Sequence, residues 1–122
     1  METNIKKLIL ILLVFTFETQ AQWIQVNNGM GNKTVQALAF NGSNLFAGAN
    51  NGFGVYLSAN NGLNWTQTSL NYRWVYSLAV NGNNIFAGTY LYGVYLSTDN
   101  GTSWTQTSLN NQTIYSLAAN GN

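Results

Sequence analysis

From residue 35 onward, short apolar runs alternate with stretches of Asn and Gly, and the alternation itself repeats. Residues 35–74 read VQALAFNGSNLFAGANNGFGVYLSANNGLNWTQTSLNYRW and residues 75–113 read VYSLAVNGNNIFAGTYLYGVYLSTDNGTSWTQTSLNNQT. A third copy opens at Ile114 with IYSLAANGN, so the period is 40 and then 39 residues. GVYLS and WTQTSLN are identical in the two long copies. Each copy holds four runs, which in the first are 35–40, 45–49, 55–58 and 65–70, and Asn-Gly follows the first run at 41–42, 81–82 and 120–121. Runs of this length, rich in Val, Ile, Tyr, Phe and Thr and bounded by Asn-Gly, predict strands joined by hairpins. No sustained 3.6-residue period appears beyond residue 21. The pattern predicts an all-β chain with four strands per repeat.

The polarity of the runs also orders the strands. VYSLAV is apolar or small on both faces, so that strand is expected to be covered on both sides. WTQTSL turns polar after its tryptophan, so that strand is expected outermost. Four antiparallel strands in about 40 residues, stacked face to face, make a propeller blade; a β-solenoid is the main rival, with coils that are usually shorter. The expected fold is a partial β-propeller, with blade 1 over 35–74, blade 2 over 75–113 and the first strand of a third blade over 114–122. QWIQVNN at 22–28 resembles NWTQTSL at 64–70, with Trp23 in the place of Trp65 and Gln25 in the place of Gln67. Residues 22–34 are therefore read as an orphan outer strand and a linker. Closed propellers take roughly four to eight blades. The chain is accordingly expected to be a fragment of a longer protein, to share a ring with other chains, or to stand as a short stack with open apolar faces.

Composition narrows the chemistry. The 122 residues include no Cys, His or Pro. Disulfides, Cys/His metal sites and thiol or imidazole catalysis are excluded. Lys6 and Lys7 precede a run of ten, LILILLVFTF at 8–17, and small residues follow at Thr19 and Ala21. This is the layout of a secretory signal cleaved after Ala21. Ten residues rise only about 15 Å as a helix, half a hydrocarbon core, so a membrane anchor is the weaker reading. The product expected is a secreted or cell-surface chain, off the membrane once the signal is removed. Beyond residue 21 the charged residues are Lys33, Arg73 and Asp99. With no basic patch, nucleic acid is not an expected partner.

Asp99 lies in STDNGTSW at 97–104, between the third and fourth runs, and the stretch recurs as SANNGLNW at 58–65. Both follow the pattern Ser-x-Asp-x-Gly-x-x-Trp, with Asn60 replacing the aspartate in the first. Over residues 35–122 the chain resembles the Asp-box (BNR) repeat propellers: bacterial sialidases, sortilin-type propellers, xyloglucan-degrading propellers and photosystem II assembly factors. The residue types suit a turn. Asp99 is suited to accept amide hydrogen bonds as in an Asx turn, Gly101 to take positive φ, and Trp104 to lay its ring between blades. The structural set is thus Ser58, Asn60, Gly62 and Trp65 with Ser97, Asp99, Gly101 and Trp104. Calcium takes six to eight oxygen ligands, usually with several carboxylates, and the first turn has none. No metal and no cofactor are expected.

The sialidase resemblance implies a catalytic set of three arginines, a tyrosine paired with a glutamate, and an acid. The glucan-cleaving relatives imply two acids. Beyond residue 21 this chain has one arginine, one aspartate and no glutamate, so no catalytic residue is carried over. In a four-stranded meander the loops alternate between two ends. The end away from the Asp-boxes carries the differences between copies, NNGF at 50–53 against YLY at 90–92 and YRW at 72–74 against NQT at 111–113. Tyr72, Arg73, Trp74, Tyr90 and Tyr92 are therefore candidates for a ligand-binding rim, for protein or carbohydrate; the plainer reading has these rings packing between blades. The leading functional expectation is a secreted, non-catalytic repeat module. The alternative is a fragment of a secreted sialidase-like or glucan-cleaving glycoside hydrolase whose catalytic residues lie elsewhere. Self-association through open blade faces is a third expectation.

Overall fold

The computed structural model describes residues 21–120. The leader expected at residues 1–21 lies outside them except for Ala21. Two four-stranded antiparallel sheets follow one another along the chain. The first comprises β1 (Val35–Asn41), β2 (Asn44–Ala49), β3 (Gly54–Ser58) and β4 (Thr66–Gln67), and the second β5 (Val75–Asn81), β6 (Asn84–Thr89), β7 (Gly93–Ser97) and β8 (Thr105–Gln106). Each is a simple meander, in the order β1-β2-β3-β4 and β5-β6-β7-β8. The fold is all-β, two blades of a partial propeller.

Local chemistry sets the hairpins. Asn41 pairs with Asn44 and Asn81 with Asn84, leaving two-residue loops that open with Gly42 and Gly82 at φ 60° and 58°. Glycine at the first central position gives the type II′ turn, whose twist matches the flanking strands. The fourth strand is shorter than the run at 65–70 suggests. The Val55 carbonyl accepts from the Thr68 amide at 2.9 Å, but the Val55 amide donates to Leu70 O at 2.8 Å. The ladder therefore skips Ser69 and breaks after Gln67. The second blade does the same, with Thr107 N donating to Val94 O at 2.8 Å and Val94 N to Leu109 O at 2.9 Å. Gly54 and Gly93 permit this approach: a Cβ on either would lie 1.8 Å from Leu70 O or Leu109 O.

Strand alternation gives each sheet a face toward the preceding repeat and a face toward the next. Phe46, Val55, Leu57 and Leu70 on the forward side of blade 1 meet Leu78, Val80, Ile85, Ala87, Tyr95 and Trp104 on the backward side of blade 2 in one core cluster. The inner strands approach most closely. β5 packs on β1 and β2, and a Cβ on Gly48 would lie 2.6 Å from Val75 Cγ1. Gly88, the same position one repeat on, is met by Ile114, whose Cγ2 would lie 2.7 Å from a Cβ there. Ile114 N also donates to Thr89 O at 3.0 Å. Ile114 thus stands against blade 2 as Val75 stands against blade 1, although residues 114–120 form no strand.

The segment before blade 1 shows the mirror relation. Val26 Cγ2 lies 3.6 Å from the Cβ position of Gly62, and Thr68 Cγ2 lies 3.6 Å from that of Gly101. Val26 therefore sits against blade 1 as the outer strand of blade 1 sits against blade 2. Trp65 Nε1 donates to Val26 O at 2.8 Å, and Trp65 N donates to Asn28 O at 2.8 Å. Met30 is buried with Ala47, Ala49, Tyr56 and Trp65 in a second cluster. Residues 22–27 take the outer-strand position without a strand ladder, because the third strands of both sheets are already paired with β4 and β8.

Candidate functional site

The turns at 58–65 and 97–104 share one hydrogen-bond set. Ser58 Oγ accepts from Gly62 N at 2.8 Å and Ser97 Oγ accepts from Gly101 N at 2.8 Å. Each serine also accepts a longer bond of 3.4 Å from the amide two residues on, at Asn60 and Asp99. Each hydroxyl donates to the next side chain, to Asn60 Oδ1 at 3.0 Å and to Asp99 Oδ1 at 2.8 Å. That oxygen in turn accepts an amide four residues on, from Asn64 at 2.9 Å and from Ser103 at 2.8 Å. The amide from which Asp99 accepts thus lies four residues on, not the two of the expected Asx turn. The serine, almost wholly buried, caps the nearer amides. Gly62 and Gly101 take φ of 83° and 81°, and Asn61 and Asn100 before them take 58° and 54°, a conformation that asparagine tolerates.

Asp99 makes one bond that Asn60 does not, accepting from Ser103 Oγ at 2.6 Å. The Ser103 hydroxyl, then its amide, then the Ser97 hydroxyl hold the Asp99 carboxyl below its ordinary value. Both carboxylate oxygens are thereby engaged in the turn. Trp65 is buried, whereas Trp104 is half-buried and donates from Nε1 to Gly101 O at 3.2 Å. Across the blades, Asn41 Nδ2 donates to Asn100 Oδ1 at 2.8 Å, tying the β1–β2 hairpin to the turn at 97–104 at one end of the molecule.

The loops at the other end are joined by backbone. Gly54 N donates to Arg73 O at 2.9 Å, Tyr90 N to Trp74 O at 2.9 Å and Gly93 N to Gln112 O at 2.8 Å. These bonds gather the five rim residues into two neighbouring groups. The Arg73 guanidinium lies over the Tyr72 ring at 4.4 Å and the Tyr92 ring at 3.9 Å, and Nε donates to Tyr95 Oη at 3.0 Å. Trp74 and Tyr90 stack at 5.3 Å; Tyr76 meets Tyr90 edge-on at 6.1 Å and stacks on Tyr115 at 5.5 Å. Tyr72, Trp74, Tyr90 and Tyr92 all keep more than a third of their surface in solvent.

Four members of these groups escaped the sequence reading. Tyr95 is the same residue type as Tyr56 one repeat earlier, so nothing in the sequence marks it. Tyr76 and Tyr115 do carry a signal, since they fall at one register in consecutive copies where the first copy has Gln36. Leu91, exposed between Tyr90 and Tyr92, holds φ at 63°. The other non-glycine residues in that region are all asparagines. The Leu91 amide donates to Thr113 Oγ1 at 3.2 Å.

A hollow of about 460 Å³ lies elsewhere, between residues 25–33 and the backward face of blade 1, with Met30, Val35, Leu38, Ala47 and Trp65 in its wall. Its lining is mainly apolar, and it shares no residue with the rim. No family model matches the chain, and no curated protein matches it in sequence.

Proposed function

We propose that the chain is a secreted, non-catalytic module of the Asp-box propeller class, and that it receives a protein or carbohydrate ligand on the rim built by residues 72–74 and 90–92. The observation that carries this reading is the rim itself. Partly exposed aromatic rings and one arginine are held by cross-loop backbone bonds at the end where the repeats differ. Rigid aromatic groups lose little conformational entropy on binding and offer both a flat apolar face and a polar tip. The Asp-boxes, by contrast, use their polar atoms within the turns. Asp99 is the only carboxylic side chain among the described residues, and it points its oxygens at Ser97 and Ser103. A pair of acids for glycoside cleavage is not among them.

The test is tryptophan emission titrated with a panel of neutral and sialylated oligosaccharides, in the parent chain and in Trp74→Ala. A saturable change that the substitution abolishes supports a carbohydrate rim. Silence across the panel directs the reading to a protein ligand. Release of reducing sugar from any member overturns the non-catalytic assignment. The secretion half is tested by N-terminal sequencing of exported protein, for which Gln22 is the expected first residue.

A further inference from the structure

We infer that the backward face of blade 1 is a docking surface for the forward face of blade 2 in a second copy of this chain, a head-to-tail contact. The interface already present between the two blades supplies the argument. Its backward-facing half is made by Leu78, Val80, Ile85, Ala87, Tyr95 and Trp104. The same positions one repeat earlier are Leu38, Phe40, Leu45, Ala47, Tyr56 and Trp65, apolar throughout. The forward-facing half is made by Phe46, Val55, Leu57 and Leu70. The same positions one repeat later are Phe86, Val94, Leu96 and Leu109, identical in type.

Exposure differs between the two settings along the inner strand and at the outer leucine, whereas Ala47, Tyr56, Trp65 and Val94 are buried here as their counterparts are packed there. Val75 is 0% exposed and its counterpart Val35 is 38%; Leu70 is 2% exposed and its counterpart Leu109 is 45%. Leu38 and Phe40 stand 59% and 68% exposed, where Leu78 and Val80 are packed into the core. A surface whose complement is written into the same chain fits a second copy. Because the two halves are different patches, the contact is heterologous.

The terminal segments hold these faces provisionally. Residues 25–30 lie where residues 67–72 of a docked copy would lie in the blade 1–blade 2 arrangement, or residues 106–111 when its blade 2 docks. Residues 114–119 lie where its 35–40 would lie. Neither segment has a strand ladder, and beside the buried Met30 a hollow of about 460 Å³ lies between residues 25–33 and the sheet. Docking moves both aside and replaces isolated bonds with a packed interface.

Sedimentation velocity on the full chain over a range of concentrations is the test, together with Phe40→Asp and Leu109→Asp. Both substitutions fall on exposed side chains, so circular dichroism should show the parent β signal. The parent is expected to shift from monomer to dimer and larger species as concentration rises, and each variant alone is expected to stay monomeric. An equimolar mixture of the variants is expected to form a dimer, since one retains the forward face and the other the backward face. A parent that stays monomeric throughout overturns the inference. So does either variant associating by itself, which would mean that like faces meet, and so does a mixture that stays monomeric.

Discussion

The turn at 58–65 and the turn at 97–104 make nearly the same hydrogen bonds from different side chains. Asn60 and Asp99 each accept a serine hydroxyl and an amide four residues on, and only the aspartate adds a second hydroxyl. At the opposite end of the blades the relation is reversed. There the backbone bonds recur, with Gly54 N to Arg73 O and Gly93 N to Gln112 O, but the side chains and the loop length change. What recurs at the end of the 58–65 and 97–104 turns is a polar circuit, anchored on a buried serine, that closes the β3–β4 and β7–β8 connections. What recurs at the rim is only the scaffold, which leaves its side chains free to vary. The turn therefore closes with either an amide or a carboxylate at this position, and the aromatic character of the rim is incidental to the sheet.

Substitutions sharpen or break this contrast. The largest effect is expected at Gly93, where φ is 74° and a Cβ would strike Leu109 O at 1.8 Å. Gly93→Ala should cost about 3 kcal/mol or more, read as a fall in the urea midpoint, and Gly54→Ala should match it. Unequal losses would mean that the fourth strands are not held alike. Next, Ser97→Ala removes the hydroxyl that serves the Gly101 amide in a buried position and should cost about 1–3 kcal/mol. Ser58→Ala should cost the same if the turns are equivalent, and a loss confined to Ser97→Ala would show that the carboxylate carries the turn after all.

Leu91→Gly tests the rim. Relief of the left-handed backbone should raise stability by about 1 kcal/mol, seen as a higher melting temperature, while the longer loop at 50–53 already has Asn51 and Gly52 at its positive-φ positions. The smallest effect is expected from Asp99→Asn, with a melting temperature near the parent's at neutral pH. Because folding lowers the Asp99 pKa, the stabilisation it provides is complete above the unfolded carboxyl pKa. It is lost as pH falls through the lower, folded value. Melting curves of Asp99→Asn should lack that part of the acid-induced loss, and identical acid profiles for the two proteins would refute the assigned hydrogen bonds.

Most of the scaffold was readable because it depends on short-range rules. Short apolar runs gave the strands, Asn-Gly placed the hairpins, and the repeat period gave two successive four-stranded sheets. The features that were not readable depend on contacts between distant residues. WTQTSL scans as one six-residue strand, yet the break after Gln67 is imposed by Val55 reaching Leu70 past Ser69. Asn-Gly at 41–42 and 81–82 marks the hairpins without dividing strand from loop, and pairing with Asn44 and Asn84 makes Asn41 and Asn81 close their strands while the glycine opens the loop. At the rim, the aromatic loops could be named from their divergence. The pairing of Arg73 with Tyr95 could not, since GVYLS is the same in both copies and only the position of residues 72–74 beside blade 2 gives that tyrosine a partner.

The glycine at Gly48 and Gly88 sets how closely consecutive copies approach. With no side chain there, Val75 comes against the second strand of blade 1 and Ile114 against that of blade 2, whereas Phe46, two residues along the same strand as Gly48, fills the space between the sheets. A methyl group at residue 48 would meet Val75 at 2.6 Å, so the first strand of the next copy would have to retreat and the contact between neighbouring sheets would loosen.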